Sequence, residues 1–165
     1  MKMNARNSVR RTLFLLVALS LACSGYAKKP DFSGTWKLNE SESTLNAEFS
    51  FAPHTVTITQ DKNSLTSESV SEFQGNEFTR KNSYTLDGEK SINEGWQGSE
   101  LVSIASWAKD KKSLSIVTTV EMMDGGELTI TATYSMDGKT KMKIENKVEG
   151  GPMGGSTETW VYDKQ

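Results

Sequence analysis

The sequence predicts an all-β domain, an antiparallel up-and-down barrel of about 8–10 strands, from three observations. Polar and apolar residues alternate along most of the chain after residue 27, which is the period of a half-buried strand. No long stretch places apolar residues at the spacing of an amphipathic helix. Short turn sequences separate the alternating runs. Closing such a meander removes exposed strand edges, so a barrel is favoured and an open sandwich is the second choice.

The alternating runs define the strands, and the residues between them define the turns. The pairs Asp87-Gly88 and Asp137-Gly138, together with the segments 61–63 and 124–126, supply residues that tolerate positive φ in hairpins. The segment 39–53 is long enough to form a short lid across the barrel mouth, and 150–155 is expected to be a flexible hairpin loop. Nine strands are predicted, at 32–38, 55–60, 64–70, 77–86, 101–107, 113–122, 127–136, 139–148 and 157–162.

Residues 1–27 have the pattern of a secretory signal peptide. Four basic residues and no acidic residue precede an apolar run at 12–22, which is shorter than the roughly 20 residues that a membrane span needs. Small residues before Lys28 favour cleavage after Ala27. Lipid attachment at Cys23 is the alternative, less favoured because Ser20 stands where a large aliphatic residue is expected. The sequence predicts an exported folded domain at 28–165, periplasmic or secreted, with an outer-membrane lipoprotein as the alternative.

The charge balance bears on the partners of this domain. The chain has 165 residues and a formal charge of −2, a length that suits one domain. The predicted leader holds four of the 19 basic residues and none of the 21 acidic ones, so the remaining chain carries −6. A nucleic-acid-binding domain normally shows a basic patch, so nucleic acid is not expected as a partner. The mature chain is also expected to have no transmembrane segment.

The segment 31–38 (Asp-Phe-Ser-Gly-Thr-Trp-Lys-Leu) contains Gly34-x-Trp36 at the start of the first predicted strand. A Gly-x-Trp that opens a strand meander resembles the calycin superfamily, the lipocalins and intracellular fatty-acid-binding proteins, and in particular exported bacterial lipocalin-like domains. The resemblance implies that Trp36 plugs one end of the barrel and that Gly34 lets the backbone approach it. It also implies a lumen that holds a small apolar or amphipathic ligand.

The last predicted strand resembles that of fatty-acid-binding proteins, in which an inward Arg and an inward Tyr two residues apart hold a carboxylate. Tyr162 matches the Tyr, but Trp160 stands at the Arg position, so that anchor is missing. The helical lid of those proteins does not fit into 39–53. The disulfides frequent in secreted lipocalins are also absent, because the chain has one cysteine.

Catalytic and metal-binding patterns are weak in this sequence. His54 is the one histidine and stands beside a proline at a strand start, where a solvated turn residue is expected rather than a metal ligand or catalytic base. No carboxylate pair is selected by its position, and no phosphate-binding loop is present. The sequence therefore favours a non-catalytic protein without metal or cofactor.

Arg80 is the most informative polar residue, since it is the only arginine after the predicted leader. It precedes Asn82 by two residues and Tyr84 by four, which predicts that all three face the barrel interior. A buried guanidinium needs a partner, so Arg80 is interpreted either as the anchor of an acidic head group or as a cation packed on a tryptophan such as Trp36.

Aromatic residues complete the predicted site. Trp107, Trp160 and Tyr162 are candidates to line the pocket, although aromatic side chains in a barrel also serve as ordinary core. The sequence thus predicts an exported, non-catalytic protein that binds a small apolar or amphipathic ligand in the barrel lumen. The alternative is a protein-interaction or structural envelope module with a filled barrel.

Overall fold

The computed structural model of the protein describes residues 28–47, 50–73, 75–95, 98–122, 126–151 and 155–165. The predicted leader with Cys23, the turn residues Asp124 and Gly125, and the middle of the 150–155 loop lie outside these residues. In the described ranges the structure has no α-helix, and so none that is long and apolar enough to cross a membrane.

Ten strands form the fold. They are β1 (Gly34–Leu38), β2 (Thr55–Gln60), β3 (Ser64–Phe73), β4 (Asn76–Thr85), β5 (Lys90–Glu94), β6 (Glu100–Trp107), β7 (Ser113–Glu121), β8 (Glu127–Asp137), β9 (Lys141–Gly150) and β10 (Ser156–Lys164). They make one antiparallel sheet in the order β4-β3-β2-β1-β10-β9-β8-β7-β6-β5. Because β4 and β5, the two ends of this order, lie side by side, the sheet curves into a nearly closed barrel. The predicted fold class is confirmed.

The sequence missed one strand, β5. This strand has five residues, and its single apolar residue, Ile92, points outward and is 65% exposed, whereas Ser91 points inward and is buried. A short strand with a polar inner face carries no apolar alternation, so the pattern that revealed the other strands is absent here.

Burial follows the predicted alternation in the other strands. In β9, Met142, Ile144 and Asn146 are buried, and the residues between them are exposed. Pairing registers continue this inner face across the sheet, since Ile144 pairs with Tyr134 on β8 and Tyr134 pairs with Leu114 on β7. The core therefore lies inside the barrel.

The lower end of the barrel, where β1 begins and β10 ends, is closed by the segment before β1. Trp36 is fully buried and donates its indole N–H to the Phe32 carbonyl at 2.8 Å. Phe32 stacks on Trp107 with ring centroids 6.1 Å apart and meets Tyr134 edge-on at 5.8 Å. Gly34 has φ +136°, a backbone conformation that favours glycine, and a Cβ there would also force the flexible end of the Lys164 side chain, 2.8 Å away, to move.

At the seam between β4 and β5, side chains of β5 form hydrogen bonds with the β4 backbone in place of backbone-to-backbone hydrogen bonds. Asn93 Oδ1 accepts a hydrogen bond from the Ser83 N–H at 2.7 Å, and Asn93 Nδ2 donates to the Ser83 carbonyl at 3.1 Å. The Thr85 N–H donates to Ser91 Oγ at 3.0 Å. Because β5 ends at Glu94, these bonds close only the lower part of β4.

The segment 39–53, expected as a lid across the mouth, is held along β10. Thr44 and Thr159 exchange backbone hydrogen bonds of 2.8 and 3.0 Å, and the Val161 N–H donates to Ser43 Oγ at 2.9 Å. Pro53 receives a hydrogen bond at its carbonyl from the Tyr162 hydroxyl at 3.0 Å. The described part of this segment therefore extends the barrel wall beside the upper half of β10.

Candidate functional site

The inner face of the barrel differs between its two ends. At the lower end the inward side chains of β7 and β8, such as Leu114 and Tyr134, are buried. At the upper end, which carries the β7–β8 and β9–β10 connections, inward positions remain only partly buried although they are aliphatic. These positions, two or four residues apart along their strands and so on the same face, are Val120, Leu128, Ile130 and Val148. Water therefore reaches an apolar inner wall at the upper end.

Polar groups lie in the middle of the inner face and, at Trp107, near its lower end. Ser103 Oγ and Thr118 Oγ1 are 2.9 Å apart and form a hydrogen bond between β6 and β7. Asn82 Oδ1 on β4 and Trp107 Nε1 on β6 are buried atoms without a hydrogen-bond partner in the described part of the chain. An unpaired buried polar atom costs about 1–3 kcal/mol, so both atoms mark places where a polar group of a ligand or a water would complete the bonding.

Glu158 is a buried carboxylate on β10, with 5% of its surface exposed. Its Oε1 accepts from the Asn46 N–H at 2.6 Å. Its Oε2 accepts from the Ser50 hydroxyl at 3.1 Å and from the Trp160 indole N–H at 2.8 Å. Three donors thus satisfy the charge, and two of them belong to the segment 39–53. Glu158 fastens that segment to the barrel.

Three tyrosines inside the barrel have perturbed acidities. Burial raises the pKa of Tyr84, although the neighbouring Asn82 and Arg80 act in the opposite direction. Burial also raises the pKa of Tyr134, and the nearby Tyr84 adds to this. Burial raises the pKa of Tyr162 as well, helped by Tyr134 and Glu158. Tyr84 raises the pKa of Tyr134, and Tyr134 raises that of Tyr162, so the three side chains lie close together in the interior. All three are protonated at neutral pH.

Arg80, Asn82 and Tyr84 share the inner face of β4, as their spacing predicted. Their registers show this, because Arg80 pairs with Ser69 and Ser69 pairs with the buried, core-facing Val56. Burial decreases along the strand from buried Tyr84 through half-buried Asn82 to exposed Arg80. The expectation that the Arg80 guanidinium is buried is therefore wrong, because β4 extends beyond the seam toward the upper end. The cation that packs on Trp36 is Lys164, with its Nζ 5.1 Å from the ring centroid.

The three predicted aromatic residues occupy different positions. Trp107 lies against Phe32 near the lower end, with Lys29 Nζ 4.9 Å above its ring. Trp160 is half-buried and bonded to Glu158. Tyr162 is fully buried and bonded to the Pro53 carbonyl. Trp160 and Tyr162 thus hold the wall and its adjoining segment, whereas the Trp107 indole N–H has no hydrogen-bond partner among the described residues. Their role in ligand binding stays a prediction.

Glu158 and Asn146 are among the buried polar residues that were not predicted from the sequence. They pair with each other across β10 and β9. The spacing could have revealed Glu158, because it precedes Trp160 by two residues and Tyr162 by four, and both of these were expected to face inward. Glu158 was overlooked because acidic residues were expected to face outward or to lie in turns.

A pocket of about 310 Å³ also occurs beside the segment that follows β1. Its lining includes the outward-facing Lys37 and Asp163, so it lies on the outer surface and contains none of the predicted site residues. The lining residues are Lys37, Leu38, Asn39, Glu40, Ser41, Asp163 and Gln165.

Comparison with known proteins identifies the architecture. No family model and no curated protein matches the sequence. The apo crystal structure of Caenorhabditis elegans lipid binding protein 8 (LBP-8) is similar, with a TM-score of 0.52, 13% identity, and coverage of 81% of this chain and 95% of that chain. This similarity shows that the chain shares the barrel fold of that protein. A redesigned β-barrel also matches, with a TM-score of 0.45, 11% identity, and coverage of 81% and 90%.

Proposed function

We propose that this protein is an exported, non-catalytic binding protein for a small apolar or amphipathic molecule held in the barrel lumen. The observation that carries the proposal is the half-exposed aliphatic inner wall at the upper end, above a lower end closed by Trp36 and Phe32. A ligand that covered this wall would gain about 25 cal/mol for each Å² of apolar surface removed from water. Such a wall with a few polar groups is typical of small-molecule sites.

Three groups favour an amphipathic ligand over a purely apolar one. Asn82 Oδ1 and Trp107 Nε1 offer a free acceptor and a free donor on strands that flank β5. Arg80 supplies a positive charge on the same inner face, nearer the upper end. A lipid whose head group carries a carboxylate for Arg80 and a hydroxyl that donates to Asn82 Oδ1 fits this set. The shared fold with a protein named for lipid binding is consistent with the proposal.

Mass spectrometry of the protein from its own host provides the first test. The native spectrum is expected to show a copurified lipid-sized adduct, and the denatured mass is expected to correspond to a chain that begins at Lys28. A mass that retains residues 1–27 would contradict export. A native mass without adduct, together with no binding in the titration below, would contradict the binding function.

A fluorescence titration with dodecanoic acid, competing with an anilinonaphthalene sulfonate dye, tests the site itself. Ile130→Lys places a charge on the inner wall and is expected to weaken binding of the acid about tenfold or more, because an apolar contact is lost and a charge is left in the lumen. Thr131→Lys places the same charge on the outer face of the same strand and is the matched control. Equal effects of the two variants would contradict a lumen site.

A protein-interaction module is the second candidate. The observation in its favour is the upper part of β4, where residues 76–81 are all exposed and lie at the end of the sheet order. Exposed strand surfaces are used for binding partner proteins. A dye-binding barrel that carries no ligand from its host would favour this function.

A further inference from the structure

The outer face of β5, β6 and β7 carries a contiguous aliphatic patch, formed by Ile92, Val102, Ile104 and Val117. Ile92 pairs directly with Val102 across β5 and β6, and Ile104 pairs directly with Val117 across β6 and β7. Val102 and Ile104 are two residues apart and so lie on the same face. Ile92, Ile104 and Val117 are 65%, 39% and 37% exposed. Adjoining apolar side chains that remain exposed indicate a surface that binds a partner.

A row of four glutamates borders the upper side of this patch. Glu94 pairs directly with Glu100 across β5 and β6, and Glu121 pairs directly with Glu127 across β7 and β8. The β6–β7 register, continued by two residues, places Glu100 opposite Glu121. All four are exposed, and each stands an even number of residues from outward-facing positions of its own strand. The glutamate row therefore crosses four neighbouring strands at one height.

The glutamate row is electrostatically unfavourable in the free protein. Like charges directly opposite one another on a sheet are destabilising. None of the four carboxylates forms an ion pair or a hydrogen bond with a residue in the described ranges. Lys90, on the same outer face, pairs with Ile104 and so lies on the far side of the patch from the row. A partner that brings positive charge to the row would offset the repulsion.

We infer that this face, the aliphatic patch together with the glutamate row, binds an amphipathic helix of a partner protein, with basic and aliphatic residues in adjacent stripes. Charge complementarity selects a basic partner, because a second copy of this acidic chain or an anionic membrane would add negative charge beside the row. The surface lies outside the barrel. It is therefore independent of ligand binding in the lumen and goes beyond the proposed function.

The spacing of the glutamate row favours a helix over an extended segment. Neighbouring strands lie about 4.8 Å apart, so the four glutamates span about 14 Å. A helix that lies across the strands presents a side chain on one stripe about every 5.4 Å, and three turns span about 16 Å. An extended segment presents side chains on one face about 6.8 Å apart and loses register with the row. One basic residue per helical turn thus approaches one carboxylate per strand, and the adjacent aliphatic stripe covers the patch.

Calorimetric titration with a synthetic peptide tests the inference. The probe is an alanine-based helix of about four turns that carries a stripe of lysines and an adjacent stripe of leucines, one of each per turn. A peptide of the same composition in shuffled order, without stripes, is the control. The striped peptide is expected to bind at least about tenfold more tightly than the shuffled one. Its affinity is expected to fall as salt is added, because exposed charges are screened.

Variants of the protein separate the two parts of the surface. Glu121→Lys reverses one charge of the row and is expected to weaken binding of the striped peptide about tenfold or more. Glu145→Lys makes the same charge change on the exposed outer face of β9, and this matched control is expected to change the affinity no more than about twofold. Ile104→Thr keeps a β-branched side chain but removes apolar contact, and it is expected to weaken binding about fivefold.

Several results would overturn the inference. One is the absence of striped-peptide binding up to about 1 mM, and another is equal binding of the two peptides. Equal effects of Glu121→Lys and Glu145→Lys would also overturn it. Binding that Ile104→Thr leaves unchanged would indicate a purely ionic surface, such as one for a polyamine, and would contradict a helix. A wild-type dimer in sedimentation velocity that Ile104→Thr disperses would assign the face to a second copy instead.

Discussion

At the scale of single residues, Asn82 is expected to affect both the stability of the free barrel and the binding of the proposed ligand. Its Oδ1 is buried without a partner in the described chain. Leucine has a similar size and no polar atom. Asn82→Leu is therefore expected to raise the free energy of unfolding by about 1 kcal/mol, and to weaken binding of a hydroxy-substituted dodecanoic acid, whose hydroxyl donates to Oδ1, about tenfold. Urea unfolding and the competition titration measure the two effects.

The adjacent Ser83 supplies the control for this prediction. Its side chain faces outward, so Ser83→Ala is expected to change the free energy of unfolding by no more than about 0.5 kcal/mol and to leave binding unchanged. A loss of stability in Asn82→Leu would show that the Asn82 amide is already satisfied in the free protein. Such a result would remove the reason for assigning it to a ligand.

The spacing of Arg80, Asn82 and Tyr84 predicted their common face but not their unequal burial. Alternation fixes which side of a strand a residue faces. Burial depends on height along the barrel, and height depends on strand registers and on where the short neighbour β5 ends. Those are properties of pairings distant in sequence, which a local pattern does not contain. The same limit explains why Lys164, rather than Arg80, packs on Trp36.

At the scale of elements, Glu158 joins the segment 39–53 to β10. Glutamine keeps one acceptor oxygen, and its NH₂ group must face either the Asn46 N–H or the two donors on the other oxygen. Glu158→Gln is therefore expected to lower the free energy of unfolding by about 1–3 kcal/mol. Hydrogen exchange at the Asn46 amide is expected to become faster, because the segment is released from the barrel.

Glu145→Gln provides the matched control on the neighbouring strand. Glu145 is exposed on the outer face of β9, and its loss of charge is expected to change the free energy of unfolding by no more than about 0.5 kcal/mol. If the two variants are equally stable and exchange of the Asn46 amide is unchanged, Glu158 does not fasten the segment.

The boundaries of the strands show which parts of the fold could be predicted from the sequence and which could not. The long hairpins were predictable because apolar alternation and Asp-Gly turns agree, and Gly88 and Gly138 have positive φ as expected. β5 was not predictable, because side chains of Ser91 and Asn93 replace its ladder with β4 and leave little reason for an apolar inner face. The path of 39–53 depends on Glu158, more than a hundred residues later in the chain.

At the scale of the whole molecule, three buried tyrosines lie between the closed lower end of the barrel and its partly exposed upper wall. Tyr84, Tyr134 and Tyr162 come from β4, β8 and β10, and each is buried. Below them the interior is closed by Trp36, and above them the inner wall is partly exposed. A native structure that keeps three phenols away from water must hold them in the protonated form. Their ionisation is consequently coupled to unfolding of the barrel as a unit.

The sign of this coupling predicts alkaline unfolding. In the unfolded chain a tyrosine titrates near pH 10, whereas burial raises the pKa of all three in the folded barrel. The unfolded state therefore binds fewer protons above about pH 10, so stability that is complete below this pH falls as the pH rises. Each tyrosine that stays protonated in the folded barrel contributes up to about 1.4 kcal/mol per pH unit, so the slope is at most about 4, and Tyr162→Phe is expected to reduce it by about 1.4. Tyrosinate absorbance and circular dichroism followed together should change in one transition. Absorbance that rises while the β-sheet signal persists would show that the interior admits hydroxide without unfolding.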